Sequence, residues 1–132
     1  MTDRLRPDET ATLVHWTYTH DEWKNFVRWK KRKKGFIPYL VHLLSPVGSR
    51  KAPGVTIFPG KVSIDEIYEP FHDEQRRLRR VNIRDAGSMN VMEIFYHWPF
   101  NREKPHREIS ILVPKGKLRE AIQLQEELSS GI

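Results

Sequence analysis

The stretch "VMEIFYHWPFNREKPHREISILVP" (91–114) decides how the rest of the chain is read. Six of its first eight residues are apolar or strong β-formers, types that suit a pleated, half-buried surface. "PFNREKP" then reads as a surface loop, and "HREISILVP" (106–114) returns with Ile109, Ile111 and Val113 on one face. Period-two runs separated by turn residues predict strands.

Working outward, "GKLREAIQLQEELSSG" (116–131) switches to helical spacing, with Leu118, Ala121, Ile122 and Leu128 on one face and Gly131 placed to stop it. Upstream, "RRLRRVNIRDAG" (76–87) is ambiguous. Its charge suits an exposed helix, while Val81, Ile83 and the closing "DAGS" suit a strand and turn slightly better. "GVTIFPGKVSIDE" (54–66) reads as two short strands around Phe58-Pro59-Gly60-Lys61, where proline at the second position and glycine at the third predict a type II turn. "IYEPF" (67–71) is expected to continue the second of these strands, with "HDEQ" as the next turn.

At the N-terminal side, residues 1–10 have no apolar period and are expected to be a flexible arm. "ATLVHWTYT" (11–19) reads as a strand. Thr19 and Glu22 form a T-x-x-E capping box, which satisfies unpaired backbone donors at a helix start. The predicted helix, 20–34, puts Trp23, Phe26 and Val27 on one face, and Gly35 supplies a C′ stop. "FIPYLVHLL" (36–44) is a buried segment whose Pro38 favours an edge strand or short turn, and 45–54 is a loop. Strands bracketed by helices predict an α+β domain over 11–132: a mainly antiparallel sheet or partly open small barrel, with an N-terminal helix after the first strand and a C-terminal capping helix.

The 132 residues fit one domain able to bury a real core. Without cysteine, disulfides and thiolate metal sites are excluded, which fits a reducing cytoplasm. No apolar leader opens the sequence, and its longest nearly apolar run, 36–44, falls well short of the ~20 residues a membrane-spanning helix needs. A soluble, cytoplasmic protein is expected. The net charge of +6 points to nucleic acid or acidic surfaces as partners.

The segment "WTYTHDEWKNF" (16–26) resembles the strand-then-helix opening of bacterial pleckstrin-homology-like (PH-like) domains, roughly T-x-E-E-W/Y-x-x-F. "EISILVPKGKLREAIQLQEEL" (108–128) is similar to their last strand, "P-K" turn and terminal helix, and 54–66 looks like their mid-chain hairpin. Many relatives carry two membrane helices after the first helix, and only 36–44 occupies that place here. The resemblance implies a soluble member, a partly open barrel capped by a helix, and binding rather than catalysis.

Two basic clusters hold 11 of the 23 Lys and Arg residues. The first is Arg28, Lys30, Lys31, Arg32, Lys33 and Lys34, with Trp29 among them; the second is Arg76, Arg77, Arg79, Arg80 and Arg84. Cations at a helix end offset its negative pole, but six exceed that need. They are candidates for binding an anionic partner: an acidic protein, an acidic membrane surface or nucleic acid. Simple strand alternation would send Arg77 and Arg79 to one side and Arg76 and Arg80 to the other. Trp16, Trp23 and Phe26 read as core, whereas Trp29 falls off that helix face and is a contact candidate if exposed.

The histidines show no H-x-x-x-H or H-E-x-x-H spacing, so neither a metal nor any other cofactor is expected. There is no G-x-S-x-G elbow and no glycine-rich phosphate loop, so a non-enzymatic module is the leading expectation. A nucleic-acid-binding protein using 28–34 and 76–84 is the alternative. A small open-cone enzyme with His15 or His97 beside a carboxylate is a further one. Self-association through a free sheet edge remains open at this level.

Overall fold

The computed structural model describes residues 11–32 and 52–132. The expected arm at 1–10, Lys33, Lys34, Gly35, the 36–44 segment and residues 45–51 of the loop lie outside the described residues. In chain order the elements are β1 (Val14–Trp16), α1 (His20–Arg32), β2 (Val55–Ile57), β3 (Lys61–Ile64), β4 (Ile67–Pro70), β5 (Arg77–Asp85), β6 (Asn90–His97), β7 (His106–Val113) and α2 (Leu118–Ser129). They form two antiparallel sheets, β1-β2-β3-β4 and β5-β6-β7, which do not close into a barrel. The α+β class, the helix after the first strand and the closing helix are as the sequence predicts.

One core lies between the inner faces of the sheets and α2. Trp16, Ile57, Val62 and Phe71 come from the first sheet side, Leu78, Met92, Ile94, Ile109 and Ile111 from the second, and Ala121, Leu124 and Leu128 from α2. The buried stripe of α2 is therefore rotated from the expected one: Leu118 and Ile122 are 40% and 42% exposed, and Leu124 takes their place. Two bonds pin α2. The Trp16 indole N–H donates to Glu120 Oε1 at 2.6 Å, and the Gln125 amide donates to the Val81 carbonyl at 2.9 Å.

Helix α1 packs on the opposite, outer face of the second sheet. Its Phe26 forms a small cluster with Val91 and Leu112, joined by Trp23 and Trp29. The capping box forms as expected: Thr19 N donates to Glu22 Oε1 at 2.8 Å, and Glu22 N to Thr19 Oγ1 at 3.1 Å. Glu22 does a second job, its Oε2 accepting the Lys115 N–H at 2.6 Å and tying the helix start to the end of β7. The Tyr18 hydroxyl adds a 2.7 Å bond to the Leu112 carbonyl.

Two turn expectations are corrected. β4 is a separate strand, reached through Asp65 and Glu66 at φ 52° and 72°. Left-handed backbone at two successive residues is the signature of a tight hairpin turn usually filled by Asn or Gly. A charged pair in that place hides the hairpin. The Pro59-Gly60 turn does close, with Phe58 N donating to the Lys61 carbonyl at 2.8 Å, but positive φ among the glycines is confined to Gly87 and Gly116 among the described residues. A type II turn needs positive φ at Gly60, so this turn is of another kind. Gly60 is required for closeness instead: a Cβ there would collide with the His72 carbonyl oxygen. Its own carbonyl accepts the Phe71 and His72 N–H groups at 2.9 and 3.1 Å, where the chain crosses from β4 toward β5.

Among the described residues no helix is long and apolar enough to cross a membrane.

Candidate anion-binding surface

The 76–84 stretch is strand β5, and its pairing with β6 slips by one residue between Leu78 and Arg80. Leu78 faces Tyr96, and Arg80, not Arg79, faces Phe95. The slip is a β-bulge at Arg79, an extra residue in one strand. It overturns the simple alternation. Arg77 and Arg80 stand opposite His97 and Phe95, residues of like parity on β6, so the two arginines share the outer face. Leu78 and Val81 both turn inward and are buried. Arg79 is an additional exposed cation at the kink.

Flat groups gather at this end of the sheet. The Arg80 guanidinium lies 4.4 Å from the Phe95 ring centroid. His97 and His106, paired across β6 and β7, lie 5.1 Å apart with their rings tilted by 36°. Just past the strand end, Trp98 receives Arg76 at 4.4 Å and Arg107 at 5.5 Å. Cations over ring faces are held by the ring quadrupole, about 0.5–1 kcal/mol each when exposed. Arg76 is fixed further by Asp73, which accepts its guanidinium at 2.9 Å and the Arg76 and Gln75 backbone N–H groups at 2.8 and 2.9 Å. Burial pushes the Asp73 carboxyl up, but these bonds and the arginine charge outweigh it and hold it below the usual carboxylate value.

Beneath this cluster, the Tyr96 hydroxyl donates to Glu69 Oε2 at 2.6 Å, a polar link between the two sheets. Burial, the bond to Glu69 and the Glu69 charge push the Tyr96 pKa well above its ordinary value, against smaller opposing effects of Arg107 and Arg76. The folded state keeps this proton where the unfolded chain sheds it, so stability falls as pH rises beyond about 10. Tyr18, buried and near Glu22, is raised in the same direction. Melting temperatures taken on either side of that pH are expected to drop steeply for the native chain and less for Tyr96→Phe. Equal drops would refute the assignment.

The first basic cluster lies over the same outer face but is anchored elsewhere. Phe26 and Trp29 pack on the Val91–Leu112 row, six residues along β6 from His97, or about 20 Å at strand rise. Arg28, Lys31 and Arg32 are exposed, Arg28 bonding Asn25 at 3.3 Å. Two expectations are revised. Lys30 is only 4% exposed, one turn beyond buried Phe26 on the inward face of α1. Trp29 is half-buried and stacked on Phe26 at 6.0 Å, so it is packing rather than a free contact. Arg84 sits beside this helix, opposite Val91, with its Nε donating at 2.7 Å to the buried Glu93.

No family model matches this chain, and neither a curated protein nor a solved structure matches it.

Two clefts among the described residues lie away from the arginine end. One of about 740 Å³ runs between the start of α1 and the turn after β7, and its walls mix Asp21 and Glu22 with Lys115 and Lys117. Another of about 450 Å³ separates β1 from α2. His15, on its wall, is exposed and bonded to Thr56 at 2.7 Å, while His97 is engaged with His106. Among the described residues no three His, Asp or Glu side chains converge as metal ligands. Sequence reasoning missed Phe95, His97 and His106 as parts of the outer face, and Trp98 and Arg107 at its edge. Their signal was present, since aromatic and basic residues flank the 98–105 loop, but only strand pairing places them beside β5.

Proposed function

We propose that this protein is a non-enzymatic binding module of PH-like type, working in the bacterial cytoplasm, whose outer sheet face docks on an anionic partner. The carrying observation is the convergence of Arg77 and Arg80 on one face beside Phe95 and the His97–His106 pair, with exposed Arg28, Lys31 and Arg32 on the helix that packs farther along that face.

A titration with a short heparin fragment at several salt concentrations tests this. Releasing counterions makes log affinity fall linearly with log salt, by about one unit of slope per contact. Arg77→Glu combined with Arg80→Glu is expected to make the slope shallower by about two. The matched change of Lys117 and Arg119 to Glu, at the start of α2, leaves it unaltered. Equal slopes for both double variants, or no binding at low salt, would overturn the proposal.

Single-stranded nucleic acid is the second reading, favoured by the His97–His106 ring pair beside exposed arginines. Bases stack on such platforms with little sequence preference.

A further inference from the structure

The loop joining β6 to β7 carries the most exposed large apolar side chain among the described residues, Phe100 at 69%. It is not a floppy tip. Asn101 N donates to the Trp98 carbonyl at 3.1 Å, closing a turn with Pro99 at its second position and Phe100 at its third. Asn101 Oδ1 then accepts the Glu103 and Lys104 N–H groups at 3.2 and 3.0 Å, and Trp98 N donates to the Pro105 carbonyl at 2.7 Å. Proline presets the turn and the asparagine side chain braces its far arm. A bare aromatic ring is thus held out from the end of the sheet by a fixed frame.

Cations crowd this end of the sheet. Arg102 and Lys104, both exposed, share the loop with Phe100, Arg76 and Arg107 pack on Trp98 at the start of that loop, and Arg77 pairs with His97 at the end of β6. Within residues 72–80 and 97–107 there are seven Lys and Arg against Asp73, Glu74 and Glu103, and Asp73 is already spent on Arg76. An apolar residue projecting from a basic rim matches the layered chemistry of an acidic bilayer surface, with anionic headgroups outside and acyl chains beneath.

We infer that this end of the molecule docks on an acidic membrane leaflet, with Phe100 entering the headgroup–acyl boundary while the surrounding cations hold lipid phosphates and carboxylates. The inference rests on the anionic-surface reading above and names its partner. Nucleic acid fits less well. Phe95 is already covered by Arg80 and Trp98 by Arg76 and Arg107, the two histidines are tilted against each other, and Phe100 is a lone ring at a protruding tip.

The chain has no cysteine, so Phe100→Cys labelled with an environment-sensitive dye gives a single reporter. The full chain is mixed with vesicles of two parts phosphatidylcholine to one part phosphatidylserine, and with pure phosphatidylcholine. Cosedimentation with the mixed vesicles alone is expected, with a blue shift of the dye at position 100 and none for a dye on Ser129→Cys. Phe100→Ser, which keeps the fold because the ring is exposed, is expected to weaken vesicle partitioning on the order of tenfold. Arg102→Gln and Lys104→Gln are each expected to weaken it about fivefold. Mixed vesicles that leave the protein in the supernatant overturn the inference, as does bound protein with an unshifted dye at 100. Heparin binding that survives a vesicle failure sinks the lipid assignment alone, whereas loss of both sinks the anionic-surface reading too. Tight capture of a single-stranded oligonucleotide without vesicle binding transfers the site to nucleic acid and overturns the lipid proposal.

Discussion

Trp16→Ala is expected to lower the unfolding free energy by about 3–5 kcal/mol, the usual cost of emptying a fully packed aromatic site. Trp16 is 1% exposed, lies in the core cluster with Val55, Ile57 and Leu124, and donates its indole N–H to Glu120. It joins β1, the middle of the first sheet and α2 in one residue. Because β1 is only three residues long, little else holds it to the sheet than this anchor and its pairing with β2. Small domains carry roughly 5–15 kcal/mol in total, so the variant would sit at the edge of folding at 37 °C. Trp16→Phe separates the two contributions. It keeps most of the apolar contact and loses the bond to a half-exposed carboxylate, so about 1 kcal/mol is expected. Urea unfolding followed by far-ultraviolet circular dichroism measures both. Similar midpoints for Trp16→Ala and the native chain would show that the β1–α2 corner does not hold the fold.

Phe71→Ala should cost a similar amount, about 3–5 kcal/mol, for a different reason. The ring is completely buried, and the residue stands where the chain leaves the first sheet for the second. Its N–H and that of His72 both bond the Gly60 carbonyl, so the backbone cannot slide to refill the space the ring vacates. A cavity that cannot collapse keeps its full penalty. Phe71→Leu leaves a smaller void and is expected to lose no more than about 1.5 kcal/mol. If the alanine variant were as mild as the leucine one, the crossing would be softer than its bonding implies. The same urea titration decides.

Much of this architecture could be read before any coordinates. The runs at 91–98 and 106–114 predicted β6 and β7 within a residue because alternating β-branched and aromatic side chains leave few other choices. The capping box at Thr19 and Glu22 is a local signal and appeared as a local structure. What stayed hidden depends on contacts distant in sequence. Leu118, Ile122 and Leu124 all satisfy a helical stripe, and only the position of β5 selects Leu124. Lys30 reads as one more cation in a basic run, yet its place one turn after Phe26 buries it. The side on which Arg80 emerges depends on a bulge that no residue type announces. For the candidate surface, the cations were legible and the aromatic half was not, since Trp98 and Phe100 read simply as loop residues.

That bulge has an evolutionary corollary. Leu78 and Arg80 oppose consecutive residues of β6, Tyr96 and Phe95, so Arg79 consumes no partner. Elsewhere in β5, dropping one residue would turn every later side chain inside out. At 79 a deletion would restore plain alternation and leave the inward set untouched. The strand therefore holds one slot where chain length can drift while the hydrophobic interior keeps its register, and the charge presented to a partner can be adjusted there by a single codon gained or lost.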